Sequence, residues 1–103
     1  MNQLEREIVE QVQADHDYVV NLRRFLHQHP ELPKEEFETQ KRIEQELDAL
    51  GIAHRRVAGT GVYAELTGTR PAPEGGERCI VLRADIDALP VHEDTGLPFA
   101  SRN

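Results

Sequence analysis

Two aspartates, Asp85 and Asp87, stand two residues apart just after an apolar run that includes Ile80, Val81 and Leu82. Open α/β sheets bind ligands outside the carboxyl ends of their strands, so a carboxylate pair at a strand's exit is well placed for chemistry. One aspartate could face a site while the other anchors the loop by accepting backbone N–H bonds. The plainer role for the pair is to cap a turn, which aspartate often does.

Other chemical candidates carry less. His27 and His29 are two apart, and residues at that spacing do not share a helix face. They read as a helix-end charge or a hydrogen bond to a carbonyl. Glu35 and Glu36 sit where a first helical turn welcomes acid, so they read as dipole and solubility features. Gly59-Thr60-Gly61 is too short to cradle a phosphate and lacks the longer glycine pattern and following helix of a dinucleotide site. Cys79 is the single cysteine. No intrachain disulfide can form, and its apolar setting reads as a small core residue.

Several elements must position these side chains. Residues 2–29 carry one helical stripe, formed by Leu4, Ile8, Val12, Val19, Leu22 and Leu26 and widened by Tyr18 and Phe25. Pro30 ends it, because it lacks an N–H and biases His29 away from helix. A second helix is expected over residues 33–50, with Pro33 in its first turn and a stripe of Phe37, Ile43, Leu47 and Leu50. Gly51 suits the left-handed position past its end. Strand signals follow: a weak one at residues 52–57 and a better alternation at residues 61–68. The Pro- and Gly-rich residues 69–77 read as an exposed hairpin turn. Residues 78–84 form a β-prone run without alternation, as in a strand covered on both faces. From Asp85 the chain reads as a loop, and residues 91–103 show no periodicity. The fold class is α/β, two helices then three strands. The last strand needs more cover than the remaining sequence offers, as in a truncated domain.

The chain has 103 residues, 12 basic and 19 acidic, for a net charge of −7. That balance repels nucleic-acid phosphate and anionic lipid. No apolar run approaches the roughly 20 residues that span a bilayer. Residues 1–10 are acidic and polar, unlike a signal peptide. A cytoplasmic protein, without nucleic-acid or membrane partners, is expected.

Three blocks together resemble the hippurate hydrolase and auxin-conjugate hydrolase branch of the aminoacylase-type metallopeptidases. The first is Arg23-Arg24-Phe25-Leu26-His27-Gln28-His29-Pro30-Glu31-Leu32, followed by Glu36 and Thr39. The second is Gly59-Thr60-Gly61-Val62. The third runs from Leu82 through Asp85, Asp87 and Pro90 to Val91, then Glu93 and Thr95-Gly96-Leu97-Pro98-Phe99-Ala100-Ser101. The resemblance implies an α/β/α catalytic domain, of which residues 1–103 are an N-terminal portion. It implies two divalent ions (zinc, manganese, nickel or cobalt) and a glutamate base acting on metal-bound water, which attacks the acyl carbonyl. The substrate would be an N-acyl amino acid or related amide, and the enzyme a homo-oligomer.

The resemblance also says what the chain lacks. The family's His-Ala-Cys-Gly-His-Asp ligand block lies beyond Asn103, so no metal ligand, no tight metal site and no activity are expected in this chain alone. Related branches carry His-x-Asp-x-x-Pro, which sets Asp85 at the metal-binding histidine and Asp87 at the supporting aspartate. Asp85 is thus expected beside the active site, and Asp87 behind the metal ligands, orienting them. Two rival readings remain. One is a haloacid-dehalogenase-like phosphohydrolase with Asp85 as nucleophile and Asp87 as acid/base; against it, Ala88-Leu89-Pro90 lacks the usual follow-up. The other is a non-catalytic interaction module of the same ancestry.

Overall fold

Helix boundaries in this protein follow local chemistry, with three departures from the sequence reading. The computed structural model describes residues 1–71, 74–76 and 78–102. Among them the elements are α1 (Gln3–Ala14), α2 (His16–Gln28), α3 (Phe37–Ala49), β1 (His54–Val57) and β2 (Gly61–Ala64). This is an α/β arrangement. The chain divides into two compact units, Met1–Pro30 with Pro90–Asn103, and Glu31–Leu89.

The first departure splits the expected helix 2–29. Asp15 takes φ −86° and ψ 1°, closing α1 and opening α2. Aspartate competes for backbone hydrogen bonds and favours helix ends, which places the break there. Its N–H still donates to the Gln11 carbonyl at 2.9 Å. At the start of α1, Asn2 and Glu5 form a capping box: Glu5 N–H donates to Asn2 Oδ1 at 2.8 Å, and Asn2 N–H to Glu5 Oε2 at 3.2 Å. At the end of α2, His29 is the last cap before Pro30, as the proline requires. Neither helix buries a residue.

The second departure moves the start of α3 from residue 33 to Phe37. Pro33 belongs to a turn instead. Glu35 N–H donates to the Leu32 carbonyl at 3.0 Å, and Lys34 takes φ 66°. Proline at the second turn position and a positive φ at the third suit a type II turn. The end of α3 matches expectation. Gly51 has φ 71°, its N–H reaches Asp48 O at 3.0 Å, and Ile52 N–H reaches Leu47 O at 2.9 Å. That bond pair is a Schellman motif, which needs the left-handed glycine.

The third departure concerns the sheet. β1 and β2 pair antiparallel, with Val57 opposite Gly61 and His54 opposite Ala64. The hairpin turn is therefore Ala58-Gly59-Thr60, with φ 50° at Ala58 and 80° at Gly59. A Cβ at Gly61 would meet the Val57 carbonyl at 2.9 Å, so the turn closes only on glycine. The hairpin expected over residues 69–77 lies partly outside the described residues. Residues 78–84 form no strand; Ile80, Val81 and Leu82 are 86%, 84% and 93% exposed. A strand needs a paired neighbour and cover, and this segment has neither among the described residues. Cys79, expected in the core, is likewise exposed.

No apolar side chain is fully buried among the described residues; the buried ones are Glu36, Thr39, Gln40 and Thr60. An open groove of about 290 Å³ runs along the Glu31–Leu89 unit, lined by Ile43, Leu47, Val57, Val62 and Ile86. Phe37 and Leu50, expected on α3's apolar stripe, are exposed. No described helix is long and apolar enough to cross a membrane. Uncovered apolar segments favour association. The 103-residue chain is expected to self-associate at micromolar concentration, as read by sedimentation velocity. A monodisperse monomer with cooperative unfolding would refute this.

Candidate functional site

The Glu31–Leu89 unit joins residues from all three sequence blocks through hydrogen bonds, some of them between buried side chains. Glu36 precedes α3 but its side chain makes no cap bond. Glu31 supplies the cap from further upstream. Its carboxylate accepts from Thr39 N–H at 2.5 Å, Thr39 Oγ1 at 2.6 Å and Glu38 N–H at 3.2 Å. These satisfy two otherwise unpaired donors of the first turn and lie at the positive end of the helix. Burial alone pushes the Glu31 carboxyl up; the Thr39 hydroxyl and the two backbone N–H groups outweigh it and hold it below the ordinary range.

Glu36 is buried, not a solubility feature, and accepts from Thr60 Oγ1 at 3.1 Å. Gln40, one turn on, is 2% exposed. Its Nε2 donates to Gly59 O at 3.1 Å and Gly61 O at 3.0 Å. The second block is thus a hairpin turn clamped onto α3, not a ligand cradle. Sequence reasoning passed over Gln40. The available signal was a polar residue at helical spacing from Ile43 and Leu47, on the face that packs.

The aspartate loop lies in the same unit. Ile86 lines the apolar groove, and Ala88 N–H donates to the Glu31 carbonyl at 2.7 Å. Asp85 and Asp87 are exposed. The division of labour expected between them does not hold here: residues two apart share a side, and both carboxylates lie on the solvent side while Ile86 and Ala88 anchor the loop. Asp85 pairs with Arg83 Nη2 at 2.9 Å, an exposed contact. Asp87 has no hydrogen bond or ion pair with another described residue.

In the other unit, residues 91–102 have contacts that periodicity could not show. His27 Nε2 pairs with the Glu93 carboxylate, which also accepts from the Thr95 hydroxyl. The Thr95 and His27 bonds hold the Glu93 carboxyl low. Gln28 Nε2 donates to Pro98 O at 2.9 Å, and Arg102 N–H to Gln28 O at 3.0 Å. The Arg24 guanidinium stands 4.5 Å over the Phe99 ring. His29 instead packs its ring against Phe25 at 4.6 Å, so the two histidines do not converge.

No family model matches the chain. N-acetyl-L-cysteine deacetylase of Bacillus subtilis (strain 168) is 50% identical over 86 residues, covering 82% of this chain and 20% of that protein. A second protein of that organism, N-acetylcysteine deacetylase, is 44% identical over 94 residues, covering 86% of this chain and 23% of its own length. Among solved structures, a Bacillus subtilis protein described as a dinuclear metal-binding peptidase from the M20 family superposes with a TM-score of 0.74 at 45% identity. That match covers 88% of this chain and 24% of the other. The chain belongs to the aminoacylase-type M20 metallopeptidases.

It spans about a fifth of the length of the curated relatives it matches. Within this M20 segment the residues do not by themselves fit a metal ion. No group of three or more His, Cys, Asp or Glu side chains that could hold one occurs among the described residues. The solvent-facing Asp85 and Asp87 offer two carboxylates without converging nitrogen or sulfur donors. The phosphohydrolase alternative gains no support from these relatives.

The Glu31 cap sets a pH dependence. A carboxylate held below its ordinary value in the folded state stabilises fully above that ordinary value. The contribution is lost as pH falls through the lowered folded value. Acidification below the ordinary glutamate range is thus expected to destabilise wild type more steeply than Glu31→Gln. Urea unfolding followed by circular dichroism at a series of pH values measures this. Parallel curves would exclude the cap as the source.

Proposed function

We propose that this segment serves a metal-dependent amidohydrolase that cleaves N-acyl amino acids or related small amides, giving a carboxylic acid and a free amino acid. The observation that carries the reading is the 50% identity, across 82% of the chain, to a protein named for removing the acetyl group from N-acetyl-L-cysteine. The dinuclear metal named for the M20 structural neighbour supports divalent ions in the intact enzyme. Residues outside this set would hold them, and Asp87 would orient the groups that do. The acidic balance disfavours nucleic acid and anionic membrane as partners. A cytoplasmic homo-oligomer acting on small substrates is the form we propose.

An intact protein carrying this segment should deacylate N-acetylcysteine and other N-acyl amino acids. Activity should be lost to a chelator and restored by added zinc, manganese, nickel or cobalt. Hippurate tests whether an aromatic acyl group is accepted. Turnover that survives exhaustive metal removal, or none on any N-acyl amino acid, would overturn the reading. The 103-residue chain alone is expected to show no turnover and no submicromolar divalent-metal site by calorimetry.

A further inference from the structure

We propose that Glu31 is a positioning residue for the aspartate loop, holding Asp87 in place by joining that loop to the start of α3. This rests on the function proposed above. One residue makes both connections. Its carboxylate is fixed by Thr39 N–H, Thr39 Oγ1 and Glu38 N–H. Its backbone carbonyl accepts the Ala88 N–H at 2.7 Å. The turn that follows, with Pro33 and the positive-φ Lys34, limits the freedom of the chain between Glu31 and the helix.

The frame to which Glu31 ties the loop is itself fixed. Gln40 and Glu36 bind α3 to the hairpin turn through Gly59, Thr60 and Gly61. The loop then has two inward anchors, Ile86 in the apolar groove and Ala88 on the Glu31 carbonyl. Asp87 lies between them with its side chain free to reach outward. Loss of the Glu31 carboxylate keeps the backbone carbonyl that accepts from Ala88 but unties residue 31 from the start of α3. This anchor is then no longer held to the frame, while every atom of Asp87 remains. A short shift of such a supporting group is enough to lower activity, because orientation of metal ligands depends on their partners.

Two measurements test the link and its consequence separately. The first is amide hydrogen exchange at Ala88 in the 103-residue chain, comparing wild type, Glu31→Ala and Glu31→Gln. Glu31→Ala should accelerate Ala88 exchange by about 10-fold or more, with amides of α1 unchanged; Glu31→Gln, which keeps an acceptor oxygen, should recover most of the protection. Unchanged Ala88 exchange would overturn the link. The second is steady-state kinetics of the intact enzyme on N-acetylcysteine. Glu31→Ala should lower kcat by about 10-fold with little change in KM, and Glu31→Gln should restore most of it. Accelerated exchange with normal kcat would overturn the role in the reaction. An intact wild-type protein without amidohydrolase activity would instead overturn the proposed function, and the exchange result would still decide the link.

Discussion

Replacing Asp87 with alanine in the intact enzyme is expected to lower turnover or metal affinity by about 10- to 100-fold while leaving the fold intact. Both halves have a physical basis. Asp87 is exposed and has no hydrogen bond or ion pair with a described residue, so its truncation removes no contact that stabilises this unit. Surface substitutions of that kind usually change stability by less than about 0.5 kcal/mol. Its neighbours Ile86 and Ala88 do the anchoring, and neither is touched. A carboxylate aimed away from its own unit is available to groups elsewhere in the enzyme. The measurements are kcat, KM and metal affinity beside a thermal melt. Full activity would remove Asp87 from the site, and failure to fold would show a structural role that this geometry does not contain.

Gln40→Leu should be the most damaging conservative-volume change in α3, costing about 2–4 kcal/mol of unfolding free energy. The side chain is 2% exposed, and one amide nitrogen serves two carbonyls, Gly59 O and Gly61 O. Leucine fills similar space but donates nothing. Leaving a buried acceptor unpaired costs about 1–3 kcal/mol each; the exposed Gly59 end recovers part of this from water. Gln40→Glu should be worse, since it sets a carboxylate oxygen against two carbonyls. A domain's whole stability is about 5–15 kcal/mol, so either variant should be plain in urea titration. A loss under about 1 kcal/mol for Gln40→Leu would mean the hairpin turn is held by other means.

Two helix ends, at Pro30 and Gly51, were legible in the residues themselves, whereas the break at Asp15 was not. Pro30 stops α2 because it has no N–H, and Gly51 closes α3 because the Schellman bonds need a left-handed residue. These signals act over a few residues, so the chain states them locally. The three family blocks were legible for the same reason: each is a short run of residue types. Local chemistry misled where two local uses compete. Pro33 suits a helical first turn and the second position of a β-turn equally, and the turn prevailed.

Tertiary structure alone placed Glu31 on Thr39 and Ala88, Glu36 on Thr60, and Gln40 on the glycine carbonyls. Nothing in residue type or periodicity pairs a glutamate with a backbone N–H far along the chain. Such bonds exist only once the backbone has brought their ends together. Residues 78–84 make the same point in reverse. Their β-branched, apolar composition read as a covered strand, but strand hydrogen bonds run to another segment and cannot form within the run itself. Composition therefore states a capacity to pair, and only the arrangement of neighbours decides whether the pairing occurs.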